Sequence, residues 1–113
     1  MKKFSNKLTN AEIERLALLI EECAEVQQVA TKILRHGYRS CHPNGGLYNR
    51  RLLEKELGDL QAAVALMLAG DDISGADIVA HAESKFETVR RYLHHQPEDL
   101  INDAEEGVGR LIE

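Results

Sequence analysis

The segment 11–36 constrains the fold most, because it contains neither glycine nor proline and its apolar residues spread around nearly the whole helical surface. Thr9 or Asn10 can cap a helix here, and Gly37 can end it. A helix that is apolar on nearly all sides needs burial on nearly all sides. Three shorter neighbours from one chain would cover it poorly, so we expect a homo-oligomer with this helix near the shared core. A long monomeric surface helix is the alternative.

Apolar residues at three- and four-residue steps form a stripe on each of three predicted helices. The stripes are Ile13, Leu16, Ile20, Ala24 and Leu34 on the first helix, Leu53, Leu57, Leu60, Val64 and Met67 on the second, and Ile78, Ala82, Phe86, Val89 and Leu93 on the third. A loop is expected at 37–48, the second helix at 49–69 and the third at about 75–95. Pro97 suits the first turn of a short fourth helix. The pattern predicts an all-α fold, a helical hairpin plus further helices that form four-helix-bundle cores in a homo-oligomer.

Length and composition narrow the class of protein. With 113 residues, the chain is long enough for one domain, expected over 1–113 with its core at 9–95 and a C-terminal extension at 96–113. Apolar residues make up 43% of the chain and aromatic residues only 4%, so the core is mainly aliphatic. No apolar run approaches the roughly 20 residues that span a bilayer.

Net charge and cysteine content indicate which partners and which cell compartment to expect. Acids outnumber bases 19 to 14, for a net charge of −5, which argues against partners such as duplex nucleic acid or an anionic membrane. Cys23 and Cys41 form no plausible disulfide framework, so we expect a cytoplasmic protein.

Three glutamates, Glu21, Glu22 and Glu25, fall within one turn of the first predicted helix. At spacings of three and four residues, their like charges repel by about 0.2–0.5 kcal/mol per pair. The nearest basic residues in the sequence are Arg15 and Lys32, more than a helical turn away on either side. This trio therefore lacks a local counter-charge.

The second predicted helix brings two more acids to the margin of its apolar surface. Glu56 and Asp59 are three residues apart, and a helical projection places them among Leu52, Ala63 and Leu66. The opposite, solvated side is expected to carry Arg50, Arg51, Glu54, Lys55 and Gln61. Two helices thus each bring acids to a half-buried apolar surface.

Carboxylates in apolar surroundings must be protonated, paired or bound to a cation, and few bases lie near these five acids in the sequence. Ligands that are all oxygen atoms favour Mg²⁺, Mn²⁺ or Ca²⁺ over Zn²⁺. No glutamate has a histidine three residues on, which argues weakly against a ferritin-type di-iron site. The spacing of His36, Cys41 and His42 fits no common zinc pattern. A hard divalent cation is the expected ligand of the acids.

The acids follow the order Glu21-Glu22-x-x-Glu25, then Glu56-x-x-Asp59. This order resembles the EExxE…ExxD signature of the all-α nucleoside triphosphate pyrophosphohydrolases, the MazG-like family. The surrounding segments EECAEVQQVATKILRHG and LLEKELGDLQAAV agree with it, and KFETVRRYLHHQ is similar to the short, single-domain phage and bacterial members. The resemblance covers roughly residues 12–95.

The resemblance implies an obligate homodimer, or a homotetramer made as a dimer of dimers. It also implies hydrolysis of an NTP or dNTP between its α and β phosphates to give NMP and pyrophosphate, with Mg²⁺ or Mn²⁺ as cofactor. Carried over by position, the metal ligands would be Glu22, Glu25, Glu56 and Asp59. Glu21 would be a further catalytic acid that helps to hold the nucleophilic water.

The phosphates of such a substrate also need cationic partners. Lys32 lies two turns beyond the three glutamates, Arg35 follows at the mouth of the loop, and Lys85 lies beside the third apolar stripe. We expect these three to bind substrate. A solvated surface charge is the equal alternative for Lys32 and Lys85 and the favoured one for Arg35. Tyr38 or Tyr48 is a candidate to hold the base.

Two other functions fit the same residues. One is a catalytically inactive helical oligomer that binds nucleotides or a protein partner. The other is a structural bundle stabilised by a metal such as Ca²⁺. The presence of all five acids favours the enzyme, because a partner-binding bundle needs none of them.

Overall fold

The computed structural model describes residues 5–111, which form four α-helices and a short 3₁₀ helix. The α-helices are α1 (Asn10–His36), α2 (Asn49–Ala69), α3 (Gly75–Tyr92) and α4 (Leu100–Gly107), and the 3₁₀ helix is Val108–Leu111. These described residues include no strand, which confirms the predicted all-α class. None of their helices combines the length and the hydropathy needed to cross a bilayer.

The chain divides into two compact units, Met1–Asp72 and Ile73–Glu113. The first contains the hairpin of α1 and α2, and the second contains α3, α4 and the 3₁₀ helix. The expectation of one domain over 1–113 stays a prediction, and the ends of that range, 1–4 and 112–113, lie outside the described residues.

Local signals set both ends of α1. The Thr9 hydroxyl accepts a hydrogen bond from the Glu12 backbone N–H at 3.1 Å, and the Glu12 carboxylate accepts one from the Thr9 N–H at 2.8 Å. This reciprocal capping box satisfies two donors at the start of the helix. At the other end, Gly37 has a φ of +89°, and its N–H donates to the Ile33 carbonyl at 2.7 Å. The predicted bounds of α1 are confirmed.

Contacts at both ends of the hairpin show that α1 and α2 are antiparallel. Near the loop, the buried Asn49 donates from Nδ2 to the Gly37 carbonyl at 3.1 Å. At the far end, the Arg15 guanidinium makes two hydrogen bonds to the Asp72 carboxylate, at 2.7 and 3.0 Å. The Arg15–Asp72 pair therefore fastens the start of α1 to the turn that follows α2, while Asn49 holds the loop.

The face of α1 that meets α2 is not the predicted stripe. Ile13, Ile20 and Leu34 from that stripe are 44%, 70% and 88% exposed. The buried apolar side chains of the described residues are Val29, Ala63 and Met67. These three α1 side chains stay exposed in the single chain, and their burial in the expected homo-oligomer stays a prediction.

The predicted apolar stripe of α2 is covered only in part within the single chain. Met67 of α2 is buried, whereas Leu57 is 45% exposed.

α3 ends at Tyr92 rather than near residue 95, because Leu93 adopts an extended backbone with φ −93° and ψ 120°. Pro97 is not in α4, since its carbonyl accepts a hydrogen bond from the Leu100 N–H in the turn before that helix.

Candidate metal centre

The four carboxylates expected to hold a metal come together between α1 and α2. Glu22 and Glu25 extend from α1, and Glu56 and Asp59 from α2. Each offers one oxygen atom, and these four atoms all lie within 4.8 Å of one another. Residues three apart in a helix share one face, so the antiparallel hairpin brings the two pairs together. We call these four residues the acidic cluster.

Burial and hydrogen bonding test whether a cation fits the acidic cluster. Glu22 is only 8% exposed, and its buried Oε2 has no hydrogen-bond partner among residues 5–111. The buried Oε2 of Glu56 likewise has no partner within that range. An unpaired buried carboxylate oxygen is costly, and a cation between the two helices would satisfy both atoms. The donor set is all oxygen, which suits a hard divalent cation such as Mg²⁺ or Mn²⁺.

The two glutamates that α1 contributes to the acidic cluster have raised pKa values. Burial, with repulsion from Asp59 and Glu21, raises the pKa of Glu22. A hydrogen bond with Glu56, together with the charge of that residue, raises the pKa of Glu25 to about 7. Without a metal, Glu25 therefore keeps its proton up to nearly neutral pH. A divalent cation would supply positive charge in place of that proton.

Lys55 lies beside the acidic cluster, and its side chain is 56% exposed, as expected for the solvated side of α2. Its Nζ lies 3.0 Å from Oδ2 of Asp59 and 3.6 Å from Oε1 of Glu56, although the helical projection put Lys55 on the opposite, solvated side. Few bases were expected near these acids, and Lys55 is one that lies close to two of them on α2. The four-residue step from Lys55 to Asp59 was the available signal. The long, flexible side chain of Lys55 extends from the solvated side of α2 to Asp59 at the margin of the apolar surface.

Glu21, expected as a further catalytic acid, stands outside the acidic cluster. Its side chain is exposed, while its charge contributes to the raised pKa values of Glu22 and Glu25. Electrostatically, Glu21 therefore belongs to the margin of the site, where its carboxylate meets solvent.

The expected substrate-binding residues are divided between the two units. Lys32 and Arg35 both line a cavity of about 470 Å³ formed by the end of α1, the following loop and the start of α2. Lys85 is an exposed residue of α3 in the second unit, and its role stays a prediction. Tyr38 and Tyr48 are exposed, and neither is among the residues that line the cavity.

Comparisons of the chain with protein-family models, with curated proteins and with solved structures found no match in any of the three. The resemblance to the MazG-like family accordingly stays a prediction that rests on the order and spacing of the acids.

Proposed function

We propose that the chain is a Mg²⁺-dependent nucleotide pyrophosphohydrolase that cleaves an NTP or dNTP between the α and β phosphates. The single observation that supports it best is the acidic cluster, whose four oxygen ligands converge from two helices with two of the carboxylate oxygens buried and unpartnered. The reaction class comes from the resemblance of Glu21-Glu22-x-x-Glu25 and Glu56-x-x-Asp59 to the MazG-like signature.

In this proposal, the acidic cluster holds the cation, and the cation supplies charge neutralisation to the phosphates. Glu21, exposed at the margin, orients the attacking water and accepts its proton. The water oxygen forms a bond to the α phosphorus, and the bond from that phosphorus to the oxygen bridging to the β phosphate breaks. The bonding electrons leave with pyrophosphate, so the products are NMP and pyrophosphate.

The proposed oligomer accounts for the apolar surface of α1. We infer that a second copy of the chain covers the surface around Ile20 and Leu34, which are 70% and 88% exposed. Burial of such side chains contributes about 1.5–3 kcal/mol each, which favours association. Sedimentation velocity tests this inference: Ile20→Glu should yield monomers, whereas Leu100→Glu on α4 should leave the assembly unchanged. Monomeric wild-type protein at micromolar concentration would contradict it.

The activity is tested by incubating the full chain with a panel of NTPs and dNTPs plus MgCl₂ and separating the products by chromatography. The expected products are NMP and pyrophosphate. In ¹⁸O-labelled water, the label should enter NMP and not pyrophosphate, because attack occurs at the α phosphorus. Release of inorganic phosphate alone would contradict cleavage between the α and β phosphates.

Variants connect that activity to the acidic cluster. Asp59→Asn and Glu25→Gln should abolish turnover while the helical circular dichroism signal is retained, because each removes one ligand charge. The matched control is Glu54→Gln, which changes an exposed acid of the same helix that pairs with Arg50 and Arg51. Metal binding without any nucleotide hydrolysis would instead support a metal-stabilised structural bundle.

A further inference from the structure

The cavity at the loop end of the hairpin carries a set of cationic and polar groups that the acidic cluster does not use. Lys32 and Arg35 line it, together with His36 and His42. No Asp or Glu is among the described residues that form its wall. The cavity therefore has the opposite charge from the acidic cluster, although both belong to the same helical hairpin.

The two cations of this cavity are available to a ligand. Within the described part of the chain, neither Lys32 nor Arg35 forms an ion pair with a carboxylate, whereas Arg15 and Lys55 both do. An anion that enters the cavity would not have to displace a carboxylate from either side chain. Charge-assisted hydrogen bonds of this kind are among the stronger ones in proteins.

The loop supplies a further donor and an open stretch of backbone. His42 accepts a hydrogen bond at Nδ1 from the Asn44 N–H at 3.1 Å, so its neutral ring carries the proton on Nε2, where it can be donated. Gly45 and Gly46 have φ values of +92° and +112°, and a Cβ built on either residue meets nothing within 4 Å. Side chains therefore leave this part of the wall open to a ligand.

The cavity lies nearer the loop than the acidic cluster, on the same faces of α1 and α2. Lys32 follows Glu25 by seven residues, or about 10 Å along α1, and it returns to the same face of the helix. On α2, Leu52 lines the cavity and Glu56 lies one turn further along the same face. The cavity thus continues the line of the acidic cluster along the hairpin.

We propose that this cavity binds the terminal phosphate groups of the nucleotide, with Lys32, Arg35 and His42 as donors. This inference rests on the proposed function, because it assumes that the acidic cluster holds the linkage between the α and β phosphates. The substrate then lies along the hairpin with its β and γ phosphates toward the loop. Phosphate is favoured over the base as the occupant because the described residues of the cavity wall include two cations, Lys32 and Arg35, and no carboxylate.

Sodium pyrophosphate is the probe, used with the full chain in EDTA so that no divalent cation contributes. Titration followed by ¹H–¹⁵N correlation spectra should shift the amide signals of Gly45 and Gly46 and those around Arg35. Calorimetry should give an affinity that falls by about tenfold for each lost contact in Lys32→Gln and Arg35→Gln. The matched control is Arg39→Gln, which removes a base of the same loop that is not among the residues lining the cavity.

Several outcomes would overturn the proposal. Unchanged affinity in Lys32→Gln and Arg35→Gln would do so, and so would an equal loss in Arg39→Gln, which would show non-specific charge attraction. Thymidine or adenosine that shifts the loop amides when pyrophosphate does not would assign the cavity to the base. If either variant fails to fold, the amide signals that shift in the wild-type protein still show whether pyrophosphate binds at the loop.

The outcomes also separate this proposal from the proposed function. Pyrophosphate binding at the loop without any nucleotide turnover would contradict the enzyme and retain the anion site. Turnover with an unchanged KM in Lys32→Gln and Arg35→Gln would retain the enzyme and contradict the role of the cavity. Asp59→Asn should lose turnover while it still binds pyrophosphate, because Asp59 is not among the residues that line the cavity.

Discussion

The Nζ atom of Lys55 lies 3.0 Å from Oδ2 of Asp59, so a proposed metal ligand is already paired with a cation from its own helix. Lys55 also lies 3.6 Å from Glu56, and its interaction with Asp59 is the main cause of its raised pKa. The side chain is 56% exposed, so it can leave the acidic cluster without unfolding the hairpin. The ammonium group of Lys55 therefore competes with a metal ion for the carboxylates of Glu56 and Asp59.

We expect Lys55→Gln to bind Mn²⁺ several-fold more tightly than the wild-type protein at low ionic strength, because the competing charge is removed. Isothermal titration with MnCl₂ measures this change, and added salt should reduce the difference. Arg51→Gln is the control, since Arg51 pairs with Glu54 outside the acidic cluster. Weaker Mn²⁺ binding in Lys55→Gln would show that the ammonium group supports the site and does not compete with the ion.

Stability should depend on pH through Glu25. Its pKa is about 7 in the folded chain against an ordinary value of 4.5, so the folded state keeps a proton that the unfolded state has lost. The stabilisation from this proton is complete below pH 4.5 and is lost as pH rises through about 7. The raised pKa of Glu22 acts in the same direction.

The Tm of the metal-free protein should therefore fall between pH 5 and pH 8, as measured by circular dichroism. Saturating Mg²⁺ should flatten this decline, because the ion binds the ionised carboxylates of the folded state. Glu25→Gln should show a smaller decline than the wild-type protein. A Tm of the metal-free wild type that rises over the same interval would contradict the raised pKa values.

Glu22→Gln should stabilise the metal-free protein and weaken its response to metal. The substitution keeps the shape of a side chain that is 8% exposed but removes a charge repelled by Asp59 and Glu56. We expect the metal-free Tm to rise by a few degrees and the increase on addition of MgCl₂ to shrink. Glu54→Gln, at an exposed site outside the acidic cluster, should change neither quantity, and differential scanning calorimetry measures both.

Gly70→Ala should weaken the far end of the hairpin. A Cβ at this position would lie 2.7 Å from Cζ of Arg15, so the guanidinium would have to move away from Asp72. We expect a loss of about 1 kcal/mol in the free energy of unfolding, which should largely disappear in an Arg15→Ala background. The control Gly58→Ala, where nothing lies within 4 Å, should stabilise α2 by about 0.5–1 kcal/mol. Equal losses in both backgrounds would show that the clash does not act through Arg15.

Capping residues and helical spacing were enough to predict the helices of the hairpin and the members of the acidic cluster. Thr9 and Gly37 act on neighbouring backbone groups, so the ends of α1 could be predicted from a few residues. The three-residue steps from Glu22 to Glu25 and from Glu56 to Asp59 likewise require only helical geometry. The end of α3 and the start of α4 were predicted less well. No capping pattern in the sequence marks the extended backbone of Leu93 or the turn in which the Pro97 carbonyl accepts from the Leu100 N–H.

The sides on which these helices meet depend on packing that helical spacing does not reveal. α1 has apolar residues on most of its surface, so periodicity did not indicate that α2 would cover Val29 and leave Ile20 exposed. The pairing of Lys55 with Asp59 and the cavity between Lys32 and the loop also depend on side-chain reach and chain reversal. Local spacing specifies which residues share a helical face, whereas packing between segments distant in the chain specifies what that face contacts.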